Sequence, residues 1–160
     1  MKKKSVLFVL LAVAVIIASL TGCATTPTPT QAPVDAWKWT PGADAVTYKS
    51  TAADDWSPTF TVNVRIVGAS DPVLYDGTVT LTSPQMMANE FLAAAINDKG
   101  LAQEGLDVGF ITKVGDYEND TTTNTFWMFY VNGEMPNWGS NEFRMRDGDY
   151  LELKYEAYQM

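Results

Sequence analysis

Thr59-Phe60-Thr61-Val62-Asn63-Val64-Arg65-Ile66 sets a large apolar side chain at every second position, with threonine, asparagine and arginine between them. That two-residue period is the pattern of a strand with one face in a core and one face wet. A turn through Gly68-Ala69-Ser70-Asp71-Pro72 leads to Val73–Thr82, where Val79 and Leu81 alternate with threonines. The two segments are expected to pair as a hairpin, with Asp76-Gly77 as the place for a bulge or bend. Ser83 and Pro84 then offer an N-cap and a first-turn proline, and Ala88, Phe91, Leu92 and Ala95 fall at i, i+3, i+4 and i+7. This spacing predicts an amphipathic helix, ended by Gly100. Met86 and Met87 near its start read as core fillers.

Beyond the helix, Leu106–Val114 gives a weaker strand signal and Asp116–Asn124 a polar loop. Phe126-Trp127-Met128-Phe129-Tyr130-Val131 is apolar at every position, which predicts a central strand covered on both faces. Asn132-Gly133 and Asp147-Gly148-Asp149 are turn signals, and Tyr150–Tyr158 alternates Leu151, Leu153 and Tyr155 with Glu152, Lys154 and Glu156. A hairpin, one helix and further strands around a single core make an α+β fold. The expected form is a β-grasp-like mixed sheet with one packed helix. The sheet's second face is left for the tryptophan-containing segment, a partner or a ligand.

Working back from Thr59, residues 37–58 carry Trp37, Trp39 and Trp56 among Gly, Ala, Asp and Pro, without a sustained period. This N-terminal extension receives no secondary-structure assignment. Its tryptophans are expected to pack onto the domain, the alternative being a free binding surface. Residues 23–36 form a Thr/Pro-rich tether, kept extended by Pro27, Pro29 and Pro33. At the start, Lys2-Lys3-Lys4 precede an unbroken apolar run from Val6 to Ala18, followed by Leu20-Thr21-Gly22-Cys23. Charge, apolar core and small residues in that order read as an export signal over residues 1–22. The run falls short of the ~20 apolar residues needed to span a bilayer as a helix.

Leu20-Thr21-Gly22-Cys23 resembles the bacterial lipobox. The resemblance implies cleavage before Cys23 and a diacylglycerol on its sulfur, and two acyl chains hold a protein stably to a membrane. Cys23 is the only cysteine, so no internal disulfide competes for the thiol. The expected product is a lipoprotein on the extracytoplasmic face of a bacterial membrane, at the cell surface. Ala24 stands where inner-membrane retention is associated with aspartate, so outer-leaflet placement is permitted. Loss of the three signal lysines leaves 8 basic against 19 acidic residues, a net charge of −11 where the whole chain has −8. Such a surface repels nucleic acid.

The strand Phe126–Val131, its Asn132-Gly133 turn, Gly139, and Asp147-Gly148-Asp149-Tyr150-Leu151-Glu152-Leu153 resemble the DUF4430 family. That family is similar to the C-terminal β-domain of transcobalamin and intrinsic factor. The resemblance covers about Thr59 to Tyr158, so residues 59–160 are taken as a transcobalamin-like β-grasp domain. In the vertebrate carriers cobalamin lies between this β-domain and a helical barrel, a half not expected in this chain. By resemblance, the loop Glu134-Met135-Pro136-Asn137-Trp138-Gly139-Ser140 faces the ligand. Trp138 is then the stacking residue, Asn137 and Ser140 offer hydrogen bonds, and Asn132 and Glu134 complete the candidate set. The plainer alternative folds Trp138 back onto the sheet.

These readings imply a binding protein that captures a corrinoid or other small molecule and hands it to a transporter. The alternative is an envelope protein whose aromatic strand and Trp37, Trp39 and Trp56 dock a protein or cell-wall polymer. Catalysis is not expected. The chain has no histidine, which removes Ser-His-Asp and Cys-His chemistry, the usual zinc sites and an imidazole ligand to cobalt. No resident cofactor or metal is expected. Asp116, Glu118 and Asp120 alternate like the opening of a calcium loop, but Thr121 stands where glycine is needed and Trp127 where glutamate is needed. A solvated acidic loop is the preferred reading.

Overall fold

The computed structural model of the protein describes residue 42 and residues 44–158. The signal, Cys23, the tether, Trp37 and Trp39 lie outside the described residues. Strand β1 (Asp44–Lys49) is followed by the hairpin β2 (Thr59–Val67) and β3 (Val73–Thr82), then helix α1 (Ala88–Asp98). Three two-residue strands follow, β4 (Gln103–Glu104), β5 (Lys113–Val114) and β6 (Tyr117–Glu118), and then β7 (Thr125–Val131) and β8 (Tyr150–Ala157). The main sheet runs β1-β3-β2-β8-β7, with β2 and β8 parallel at its middle and antiparallel partners outside them. This is the β-grasp order with β1 added, parallel to β3, on the far edge. The α+β expectation therefore holds.

The two-residue period places Val62, Val64 and Ile66 of β2 opposite Val79, Gly77 and Tyr75 of β3 on one face, where all but the glycine are fully buried apolar side chains. Leu151 and Leu153 continue that face into β8. Helix α1 covers it with Ala88, Phe91, Leu92 and Ala95, all fully buried as their spacing predicts. Its end is a Schellman turn: Gly100, at φ 62, and Leu101 donate to the carbonyls of Asn97 and Ile96 at 3.0 and 3.1 Å.

Its start differs from the sequence reading, beginning at Ala88 rather than after Ser83. Met86 adopts a left-handed φ of 56 and its carbonyl accepts from Met145 at 2.8 Å, so pairing with a distant segment takes the backbone a helix would need. Ser83 still stabilises a turn, accepting from the Gln85 amide at 3.1 Å and donating to Glu90 Oε1 at 2.7 Å. Glu90 Oε2 accepts the Met87 amide at 2.9 Å and closes the true N-terminus.

Four further expectations are corrected. Asp76-Gly77 does not bulge: the register runs straight through it and slips instead at Ile66/Val67. Glycine is needed at 77 because the start of β1 pairs closely there, and a Cβ would lie 1.6 Å from the Asp44 carbonyl oxygen. Lys99 forms an ion pair with Asp44 and holds its carboxyl below the usual carboxylate range. Leu106–Val114 is not one strand, because Gly105 and Gly109 take φ of 81 and 78 and fold the segment into a loop between β4 and β5.

The third correction concerns β7, which is an edge strand and not the central one. Trp127, Phe129 and Val131 share the core face with Tyr155, Leu153 and Leu151 of β8, while Phe126, Met128 and Tyr130 look the other way. Trp127 is buried in a cluster with Tyr117 and Tyr155, at ring distances of 6.3 and 5.3 Å. Two-sided apolarity here marks a strand with a core on one face and hollows beside it. In the 37–58 segment, β1 occupies Asp44–Lys49, whereas Trp56 is 93% exposed and does not pack onto the domain.

Candidate functional site

Two loops rise beside the outer edge of β7. The first, residues 105–112, is anchored by buried Leu106 and Ile111, which leaves Val108 and Phe110 turned outward at 66% and 64% exposure. The Thr112 amide donates to the Glu104 carbonyl at 2.9 Å and closes this loop. The second, residues 132–143, starts at the Asn132-Gly133 turn, where both residues have positive φ. Its far end is fixed to α1: the otherwise unpaired Ala88 and Asn89 amides donate to the carbonyls of Phe143 at 2.9 Å and Ser140 at 3.0 Å. The Ser140 amide in turn donates to the Gly109 carbonyl at 3.3 Å and joins the two loops. Gly109 has a φ of 78, a conformation side chains rarely adopt, and a Cβ there would also meet Asn141 Oδ1 at 2.0 Å, so glycine suits this position.

Between the loops lies a cleft of about 330 Å³, at the lower end of the range used for small-molecule sites. Phe110, Pro136 and Trp138 form its walls, and Met128, Phe129 and Met135 line the strand side. No charged side chain lines it, and Asn137 supplies a polar one. Trp138 is 65% exposed and Met135 44%, an unusual amount of aromatic and thioether surface for water to wet. A second hollow of about 290 Å³, lined by Met128, Tyr130, Met135, Glu156 and Tyr158, shares both methionines with the first. There the Tyr130 hydroxyl donates to Glu156. Burial, then that carboxylate, push the phenol up to about 12, so it remains a donor at neutral pH.

The candidate residues divide clearly. Trp138 and Asn137 line the cleft. Glu134 is exposed, and its backbone bridges Val131 at 2.8 and 3.0 Å. Asn132 uses its side chain internally, Oδ1 accepting from the Tyr150 amide and Nδ2 donating to Asp149 Oδ1, both at 2.9 Å. Ser140 is fully buried behind the wall. Sequence reasoning missed Phe110, Phe129 and Met135. The available signal for Phe110 was an apolar pair, Val108 and Phe110, set beside two glycines. Asp116, Glu118 and Asp120 do not converge, and among the described residues no group of three such side chains is placed to hold a metal ion. Asp120 is a turn former: bonds from Thr122 and Thr123 hold its carboxyl at about 2.

Asn119 secures the floor. Its Oδ1 accepts the Trp127 amide at 2.9 Å and its Nδ2 donates to the Ile111 carbonyl at 3.1 Å, tying the strand edge to the first loop. Replacing it with alanine leaves both backbone groups unpartnered and is expected to cost about 1–3 kcal/mol. Asn119→Asp, which keeps the acceptor and loses the donor, should fall between alanine and wild type. Urea midpoints for the three proteins check the order.

The geometry defines a β-grasp domain with an apolar cleft built on one sheet edge. Residues 87–157 match the family model described as "Domain of unknown function (DUF4430)", so that part of the chain is similar to this family. No curated protein matches the chain. Among solved structures, it is similar to haptocorrin in complex with Cbi, at 19% identity and a TM-score of 0.52, over 66% of this chain and 27% of the haptocorrin chain. The chain thus spans about a quarter of that relative, and the likeness is one of fold. A protein from Ruminococcus gnavus ATCC 29149, provisionally described as metal-binding, aligns at 21% identity and a TM-score of 0.46, over 62% of this chain and 99% of its own.

Proposed function

We propose that the chain is a lipid-anchored, extracytoplasmic recognition module that holds a small molecule of the corrinoid class against an uncharged cleft and delivers it to an uptake partner. No catalytic step on the ligand is part of this reading. Trp138 carries it: a tryptophan 65% exposed on the wall of a cleft lined by no charged side chain has more to gain from a flat ligand than from water. The fold likeness to haptocorrin supports a corrinoid as the first probe.

Titration of the full-length protein in detergent with cobinamide, followed by tryptophan fluorescence, is expected to give saturable quenching in the micromolar range. A flat titration removes the corrinoid reading. The anchor rests on Leu20-Thr21-Gly22-Cys23 and has its own test. Mass spectrometry of native material is expected to find residues 1–22 gone and a diacylglyceryl group on Cys23. Finding Met1 attached and Cys23 unmodified removes the anchor and leaves the cleft untouched.

A second reading, docking to an envelope protein or cell-wall polymer, is favoured by Trp56, which stands 93% exposed in the β1–β2 connection. It predicts no cobinamide response at all.

A further inference from the structure

The outer edge of β7 is plugged at both ends and at the Trp127 amide, and Phe129 is its one outward residue with neither backbone group bonded among the described residues. In an antiparallel strand, alternate residues turn both their N–H and C=O away from the partner. The bridges at the two ends of β7 show that Thr125, Trp127, Phe129 and Val131 are the outward set. Thr125 exchanges hydrogen bonds with Asp120 at 2.8 and 2.9 Å, and Val131 with Glu134 at 2.8 and 3.0 Å. The Trp127 amide is held by Asn119 Oδ1 at 2.9 Å. Phe129 is left over, and it lines the apolar cleft.

In an extended residue the N–H and C=O lie side by side and point the same way, as do the syn N–H and carbonyl oxygen of a primary carboxamide. A single such residue exchanges a pair of hydrogen bonds with an amide in the manner of an isolated β-bridge. The plugs on either side leave no room for an added strand of several residues. The surrounding surface is apolar and uncharged, so a paired amide is sheltered from water there, whereas a carboxylate would face the Phe129 carbonyl and a site with no cation to balance it. Met128 and Met135, shared by the two hollows, flank this position and adapt to differently shaped bodies.

We propose that the ligand of this cleft carries a carboxamide that pairs with the backbone N–H and C=O of Phe129, while its apolar body lies against Trp138 and Phe110. The inference rests on the cleft being a small-molecule site, and it adds the polar contact that orients the ligand. It selects amide-bearing molecules over their acid counterparts.

Hydrogen–deuterium exchange on the full-length protein in detergent, resolved to single amides, tests it with cobinamide as the probe. The Phe129 amide is expected to exchange freely in the unliganded protein and at least about tenfold more slowly at saturation, as a buried paired amide does. The Trp127 amide, already bonded to Asn119, should change little. Analogues of the probe with a single peripheral amide hydrolysed to a carboxylate should include one that binds at least about tenfold more weakly, the effect of one charge-mismatched contact, while its isomers bind as the parent does. If cobinamide quenches Trp138 while Phe129 exchange is unaltered, the amide pairing is wrong and the cleft stands. Protection of Phe129 by an extended peptide but not by cobinamide also overturns it. If cobinamide does not bind, the amide pairing and the corrinoid reading fall together.

Discussion

Trp138→Ala is expected to abolish most of the cobinamide quenching and to weaken binding by about thirtyfold, the effect of losing an aromatic anchor worth ~2 kcal/mol. The side chain is 65% exposed, so its removal should leave the unfolding free energy within about 0.5 kcal/mol of wild type. Those two readouts together separate a ligand contact from a folding defect. Trp56→Ala is the matched control, because Trp56 is 93% exposed and lines none of the hollows beside β7. It removes a fluorophore and should leave the affinity unchanged. If Trp138→Ala binds cobinamide as wild type does, the cleft is not where the ligand sits.

The largest effect on stability is expected from Phe91→Ala. Phe91 is fully buried in the core cluster on the covered face of the sheet, and truncating such a ring costs about 3–5 kcal/mol through lost burial and the cavity left behind. For a domain of this size that lowers the melting temperature by roughly 10–20 °C. Affinity should suffer too, because the first turn of α1 takes the carbonyls of Ser140 and Phe143 and thereby fixes the Trp138 loop. Thermal unfolding followed by far-ultraviolet circular dichroism checks the first claim. A loss below about 1 kcal/mol would mean that α1 is not packed as described.

Much of this fold was legible because its core obeys simple periods. The apolar alternation of Phe60–Ile66 and the i, i+3, i+4, i+7 spacing of Ala88–Ala95 each named the buried face correctly. What failed depends on contacts between distant segments. Six apolar residues in a row at Phe126–Val131 look the same whether their outer face meets another strand or lines a hollow. Leu106, Val108 and Phe110 alternate like a strand, yet left-handed glycines at 105 and 109 turn that spacing into one buried anchor, Leu106, and two exposed side chains. Ser83 behaves as a capping residue, but the left-handed Met86, paired with Met145, delays the helix.

The candidate site was read in part for the same reason. Trp138 and Asn137 stand at the cleft, and their loop was found through its resemblance to the family loop that faces the ligand. Asn132 and Ser140 were chosen for their polarity, and the structure uses them inside the wall, one in a turn and one beneath it. The Asn132 amide is taken up in a turn, whereas the Ser140 hydroxyl is buried without a hydrogen-bond partner among the described residues and the residue serves through its main chain; polarity alone separates neither from a group offered to a ligand.

The walls of the cleft are fastened largely through main-chain atoms: Ala88 to Phe143, Asn89 to Ser140, Ser140 to Gly109. Bonds of that kind are indifferent to which side chains hang from the neighbouring positions, so Phe110, Met135, Asn137 and Trp138 are free to drift while the scaffold keeps its shape. Relatives built on this frame should therefore differ in what they hold far more than in how they are built, and a designer could recast the pocket's taste by changing those four positions alone.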